Sequence, residues 1–274
     1  AIGGMLAMAI GEINLATGAQ AMVCAAIMGS LMDGHIKSYL LALLITLLVA
    51  AFSSLVEAIV VVDIGVPSFI STLGVAMMLK GLTRYFAGGN SFTSSRWPKS
   101  FGFLGQTNIL GVIPVPVIVF LICCIIGYIL TEQVRFGRYI FAIGANSTAC
   151  ANVGINVRLI KYAAFIISGI LSGFSGVVYA SINNVVSLTI ADNLLTPSLC
   201  AIVLGATYKK IGFYNIEGTI LASVMLILIQ NGVMSIGAQF YVKDIIQGII
   251  LLISVGIIAK TRKEGLPKVS FENS

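Results

Sequence analysis

The chain has 274 residues, of which 58% are hydrophobic and only 9% charged, with a formal net charge of +6. Soluble domains carry roughly 25% charged residues, so a soluble domain is excluded. The positive balance needs no nucleic acid to explain it, because basic residues gather on the cytoplasmic side of membrane proteins. Charge-free stretches recur at 13–32, 38–56, 64–79, 101–131, 162–191, 193–208, 218–242 and 245–259. A helix crosses the hydrocarbon core with about 20 apolar residues. The expected fold is therefore all-α: a polytopic helical membrane protein with about eight or nine spans, some of them broken or half-length. A transmembrane β-barrel would instead show short alternating segments. The longest polar stretch, 80–108, makes no soluble domain, so 1–274 reads as a single transmembrane domain.

In chain order, "AIGGMLAMAI" offers ten residues before Gly11 and Glu12, about 15 Å of helix and half a crossing. It reads as a helix entered partway. "GEINLATGAQ" then gathers Glu12, Asn14, Thr17 and Gln20 beside two glycines, which points to a functional turn. His35 lies in the polar loop "DGHIKS" without metal-ligating neighbours. Glu57 interrupts the apolar "FSSLVEAIVV". Ionisable groups at that depth cost several kcal/mol, roughly 2.5–3.5 for Asp at a helix centre. They turn to the bundle interior or a pathway, and no basic partner for Glu12 or Glu57 is evident in the sequence. Pro67 opens "PSFISTLG", Pro114 and Pro116 precede the next span, and Pro197 opens the short "PSLCAIVLGATY"; proline breaks helices or starts them.

The loop "GANSTACANVGINVRLIK", 144–161, is flanked by hydrophobic runs yet has helix signals at both ends. The Asn146 side chain can cap a helix start, and Gly154 can adopt the left-handed conformation that ends one. Residues 147–153 make about two turns between them. Beyond it, Gly169 and Gly173 stand four apart, a spacing that lets helices approach closely. Gln230 and Asn231 interrupt the last third; Gln230 suits interhelical bonding, and Asn231 is a candidate pathway residue. The five cysteines, 24, 123, 124, 150 and 200, read as small core residues. If spans alternate, Arg135, Arg138, Arg158, Lys161, Lys209, Lys210, Lys260, Arg262, Lys263 and Lys268 share one side, ten of the sixteen Lys and Arg residues. That places 144–156 and the tail 260–274 in the cytoplasm and 83–107 outside.

The order of motifs resembles the ABC-importer permeases of the ribose and simple-sugar family, a group related to branched-chain amino acid permeases. The segment "RFGRYIFAIGANSTACANVGINVRLIKYAAFIISGILSGFSGVVYAS" resembles their cytoplasmic coupling region and the helix after it. "GEINLATGA" resembles an early glycine–acidic–leucine signature, and "VPSFISTLGVAMMLKGLTRYFAGGN" a proline-started helix with its outer loop. "LGVIPVPVIVFLICCIIGYIL", "AIVLGATY" and "EGTILASVMLILIQNGVMSIGAQFYVKDIIQGIILLISVGI" continue the match in order.

The resemblance implies about ten spans in a bacterial inner-membrane permease domain, and with them about one further N-terminal helix that is missing here. It implies sugar import by alternating access, with Gly144, Ala145, Asn146, Ala149, Ala151, Gly154 and Ile155 meeting a separate ATPase. The partners it implies are a second permease chain, the ATPase, an extracytoplasmic substrate-binding protein and membrane lipid, with no nucleic acid. ATP and magnesium would sit on the ATPase; this chain binds no cofactor, has no phosphate-binding GxxxxGK[ST] loop and is not itself an enzyme. Candidate pathway residues are Glu12, Asn14, Gln20, Glu57 and Asn231. The chain departs from the pattern at Asn14, where aspartate is usual, at Glu12, where glycine is usual, and at Glu57–Ala58, where Asn–Gly is usual. "ATYKKIGFYNIEGT" also replaces a glycine-rich loop. Permeases for nucleosides or branched-chain amino acids share the expected fold. A proton-driven transporter using Glu12 or Glu57 is a separate alternative.

Overall fold

The computed structural model describes every residue except 34, 35, 37, 94–96, 110–112, 210, 238 and 265–274. His35 and the tail from 265 on therefore lie outside the described residues, as do Lys37, Arg96, Lys210 and Lys268. The chain divides into two compact units, Ile2–Thr196 and Pro197–Ser274.

The first unit is built around a helix with no polar face. Helix α1 (Ile2–Ala9) ends at Gly11, whose φ is +87°. Residues 12–16 are unwound, and α2 (Thr17–Met32) follows. Almost every residue of α2 is buried. A helix apolar all round belongs inside a bundle, and the sequence of α2, short in charge and rich in Ala, Met and Gly, allows nothing else. Its neighbours are α3 (Tyr39–Ala58), α4 (Ser68–Phe86) and α9 (Val157–Asn183). Helix α3 continues as a π-helical turn, Ile59–Asp63. Pro67 is the cap residue of α4, so this break is a helix start. Helix α4 runs on through Lys80 and Arg84, beyond the charge-free run that ended at 79.

A short segment, α5 (Phe103–Gln106), packs on α9, and a two-stranded ribbon pairs Asn108–Ile109 with Ile113–Pro114. Helix α6 (Val115–Tyr128), with proline in its first turn, ends in a second π-turn, Ile129–Gln133. Helix α7 (Arg135–Ala145) buries Gly137, Ile140 and Ile143 and exposes Arg135 and Arg138. That is the pattern of a helix lying at an interface. Helix α8 (Ser147–Asn152) precedes α9.

Helix α9 is the longest of the unit, about 40 Å at 1.5 Å per residue. Its glycine stripe is a packing surface. A Cβ at Gly169 would strike Ser54, one at Gly173 would strike Cys24 and Ala50, and one at Gly176 would strike the Ala21 backbone. The far end of α9 meets the 87–107 loop. Phe92 pairs with Val186, Thr93 donates to the Asn184 carbonyl at 3.0 Å, and Ser181 donates to Phe101 O at 2.7 Å. Trp97 stacks on Phe101 and donates to Gly29 O at 2.8 Å, closing the end of α2.

The boundary between units falls within α10 (Ile190–Gly205). Here the sequence expectation is corrected: Pro197 lies inside this helix and does not open it. The turn Ser187–Thr189 already starts the helix, with Asn193 donating to Thr189 O at 3.0 Å. In the second unit, Cys200 and Ala201 pack on Ala222 and Leu226 of α11 (Ile216–Ser235) and on Ile250 and Leu251 of α12 (Phe240–Glu264). Asn215 caps α11, accepting from Gly218 N at 2.6 Å.

Among the described residues, five helices are long and apolar enough to cross a membrane: Tyr39–Asp63, Val115–Gln133, Val157–Asn183, Ile216–Ser235 and Tyr241–Thr261. Thr17–Met32 and Ile190–Gly205 are shorter apolar helices. The described residues thus form an all-α membrane bundle with shortened and interrupted members.

Two outcomes follow from α9. Its ends separate 147–152 from 87–107, so single cysteines replacing Ser147 and Asn90, in a chain without the native five, should react with impermeant maleimide from opposite faces of the membrane. Reaction of both from one face would overturn the orientation of α9. Gly176→Val should lower stability by about 3 kcal/mol, because backbone must move to admit the side chain. Gly74→Val, where nothing stands within 4 Å, should leave the detergent melting temperature nearly unchanged.

Candidate functional site

The site is the gap between α1 and α2. An interrupted helix leaves backbone N–H and C=O groups without helical partners, which is tolerated at membrane depth only where protein or a wet cavity supplies them. Here α4 supplies them. Ser68 Oγ accepts from Ile13 N and Thr72 Oγ1 from Leu15 N, both at 3.1 Å. Asn14 Oδ1 accepts from Ala16 N at 2.8 Å, leading the chain into α2. The i, i+4 spacing of Ser68 and Thr72 puts both hydroxyls on one face of α4's first turns.

Above the gap lies a fully buried polar network. Glu57 is 0% exposed and Asn14 1%. Asn14 Nδ2 donates to Glu57 Oε2 at 3.2 Å and to Ser168 Oγ at 3.5 Å. Gln20 Nε2 donates to Glu57 Oε1 at 2.7 Å and to Ser54 Oγ at 2.8 Å. Two amides from the interrupted helix thus hold one carboxylate from α3. Gln20 Oε1 is buried without a partner, so the network has one acceptor to spare.

Below the gap lies a rim of ion pairs. Lys161, on the second turn of α9, pairs with Glu12. Arg158, one turn earlier, pairs with Asp63 at 2.8 Å, and Tyr162 Oη donates to the same carboxylate at 2.5 Å. The Arg158 guanidinium lies 5.9 Å from the centre of the Tyr162 ring.

Of the pathway candidates, the structure brings Asn14, Gln20 and Glu57 into one cluster and sets Glu12 beside it. Glu57 is enclosed and does not face water in this conformation. The expectation that Glu12 lacks a basic partner is corrected: the partner is Lys161, 149 positions away, a separation that no local pattern reveals. Asn231 sits on α11 in the second unit with an exposed side chain. Ser54, Ser68, Thr72 and Tyr162 were not singled out. Serines and threonines in apolar helices are common, and their pairing here depends on the packing of distant segments.

The loop candidates form a capped, exposed helix. Gly144 and Ala145 end α7, and Gly144 lies so close to α1 that a Cβ would strike Ala9 O. Asn146 Oδ1 accepts from Ala149 N at 2.9 Å. Gly154 has φ +82°, and its N–H donates to Ala151 O at 3.0 Å while Ile155 N donates to Cys150 O at 3.1 Å. Among the α8 residues only Cys150 is buried, leaving Ala149 and Ala151 exposed, with Val153 76% exposed beyond them.

These features define a multi-pass helical membrane protein with an interrupted helix at its centre, a class in which such breaks are frequent at transport sites. The chain matches the family described as the permease component of branched-chain amino acid transport systems over residues 1–255, and it belongs to that family. It is a multi-pass protein of the bacterial inner membrane and a transport subunit. Its relatives include the ribose import permease of Escherichia coli K12, 27% identical over 93% of this chain and 79% of that protein. An autoinducer 2 import permease of Enterobacter sp. strain 638 is 28% identical over 89% of this chain and 76% of its own length. The ribose import permease of Bacillus subtilis 168 is 30% identical over 68% of this chain and 58% of its own length. No solved structure matches.

The buried carboxylate gives a test. Glu57→Leu strands the Asn14 and Gln20 amides and should destabilise the protein by about 3 kcal/mol, since each buried unpaired donor costs about 1–3 kcal/mol. Glu57→Gln still accepts from one amide, and its own N–H can go to Gln20 Oε1, so it should stay close to the parent in thermal unfolding in detergent. Equal loss in both variants would mean the charge, not the hydrogen-bond count, holds the network.

Proposed function

We propose that this chain is the membrane subunit of an ATP-driven importer of a sugar or sugar-like molecule, worked by a separate ATPase that docks on 144–156. The observation that carries the reading is the match along 89–93% of the chain to relatives named as ribose and autoinducer 2 import permeases. The exposed, doubly capped α8 supports the docking part. It buries little of its own surface and presents small side chains, as a short helix entering a groove on a partner requires. Alternating access would proceed around the interrupted helix, with Glu12, Asn14, Gln20 and Glu57 on the path; Asn231, in the second unit, is a further pathway candidate. A second permease chain and an extracytoplasmic binding protein complete the assembly, which works in a lipid bilayer. ATP and magnesium belong to the ATPase, and this chain takes no cofactor of its own. The family description speaks of branched-chain amino acids, whereas these relatives are named for ribose and autoinducer 2 import.

Ala149→Glu or Ala151→Glu should leave the chain in the membrane at normal levels. Co-purification of the ATPase, and ATP hydrolysis stimulated by loaded binding protein, should fall sharply, because an unpaired charge in a packed interface costs several kcal/mol. Gly154→Val should act more weakly, through strain at positive φ. Full ATPase association in both Glu variants would remove the docking assignment. Transport that persists with an inactive ATPase and follows the proton gradient would replace the reading with a proton-coupled one.

A further inference from the structure

Residues at two depths tie together the same three segments. At the rim, the first turns of α9 hold the 11–16 gap through Lys161–Glu12 and the end of α3 through Arg158–Asp63. Deeper in, Ser168 of α9 meets Asn14 of the gap, which meets Glu57 of α3. Each rim contact stands a short step along the chain from its deeper counterpart: Glu12 from Asn14, Asp63 from Glu57, and Lys161 from Ser168. The same rim adjoins the short cytoplasmic-side helix. Asn156, which follows α8 and the Gly154 turn, caps α9 by accepting from Leu159 N at 3.0 Å. On the other side of α8, Gly144 rests against the end of α1 at Ala9, just before the gap. The 144–156 segment is therefore fixed at both ends to the elements that border the interrupted helix.

We propose that Lys161 and Arg158 are positioning residues that pass displacement of 147–152 into the interrupted helix, and through it to the Asn14–Glu57–Gln20 network. This rests on the docking reading above. Lys161 and Glu12 carry the larger share. Their side chains are 21% and 16% exposed, so the pair is partly shielded from water, whereas Arg158 is 68% exposed. Shielded pairs hold geometry better than surface pairs, which contribute little. The rim also explains why the gap is unwound where it is. A continuous helix through 11–16 would carry its N–H groups inward to its own carbonyls and would withdraw Ile13 and Leu15 from Ser68 and Thr72. The extended stretch is held to α4 by these side-chain bonds, so a pull on Glu12 acts on Ile13 and Leu15 as well.

The test uses the chain assembled with its ATPase in nanodiscs. Ile13, 40% exposed, is replaced by cysteine in a chain lacking the native five. Its rate of reaction with a water-soluble maleimide is measured without nucleotide and with ATP plus vanadate. In the otherwise unaltered chain the two rates should differ by about five-fold or more, the lower end of typical coupling between sites. Lys161→Met should bring the ratio close to one while the ATPase still co-purifies and hydrolyses ATP. The exchanged pair Glu12→Lys with Lys161→Glu should restore a large part of the difference. Arg158→Met should reduce it less than Lys161→Met. A nucleotide effect unchanged in Lys161→Met, with the ATPase bound, overturns the inference and leaves the docking reading standing. Failure of the ATPase to associate even with the unaltered chain overturns the docking reading, and the inference falls with it. If Lys161→Met does not fold, the exchanged pair decides: a folded exchanged pair with no nucleotide effect also overturns it.

Discussion

A helix interrupted inside a membrane protein must find partners for its freed backbone groups within the protein itself. The stretch 11–16 meets this demand with two hydroxyls from α4, Ser68 and Thr72, and one side-chain oxygen of its own, Asn14. That solution dictates the rest of the arrangement. α4 must start beside the gap, which Pro67 ensures by fixing the first helical turn. Asn14, with its carbonyl turned to the backbone, has its amide free to point at Glu57. Because α2 is buried on every side, its partners α3, α4 and α9 have no choice of face. The polar groups of those helices then meet where α2 begins.

The buried network also gives sense to two features that looked unrelated in the sequence. The resemblance implies aspartate where this chain has Asn14, and asparagine where it has Glu57. In the structure these two residues touch. A carboxylate at both places would set two like charges at hydrogen-bond distance in a medium that screens poorly. An amide opposite a carboxylate gives a donor and an acceptor. In this chain the amide on the gap faces the acidic side chain on α3.

What could be read in advance follows from the range of the interactions. The caps of α8 are local: Asn146 bonds three residues on, and Gly154 needs only its own φ, so both were legible. The glycine stripe of α9 was legible for the same reason, since its spacing is fixed by one helix. The pairs of Glu12 with Lys161, Asp63 with Arg158 and Asn14 with Glu57 join residues 43 to 149 positions apart. No periodicity reports such a contact; only the packing of α2 against its neighbours creates it. Pro197 misled because proline usually opens a helix or breaks one, yet the Ser187–Thr189 turn had already begun α10. Lys80 and Arg84 misled because charge was taken to end a span, although α4 continues through both and Lys80 reaches Asp192 at 2.8 Å.

Helix α9 joins these parts mechanically. Lys161 and Ser168 are separated by about 10 Å along one unbroken helix, so they move together. Beyond them, Gly169, Gly173 and Gly176 seat α9 directly on α3 and α2, where the tight fit leaves no space for one helix to slide over another. A packed seam of this kind resists sliding but allows tilting about the seam. A force applied at 157–161 would then act as a lever on the groups nearest the seam, and those are Ser54 at Gly169, and Ser168 with its partner Asn14. The far end of α9 is held separately by Phe101 and Val186 against the outer loop. With that end anchored and the middle seated, the part of α9 left to move is its first turns, next to 147–152, where the 13–16 stretch of the interrupted helix is held by side chains of α4 and by Asn14 instead of by helical hydrogen bonds.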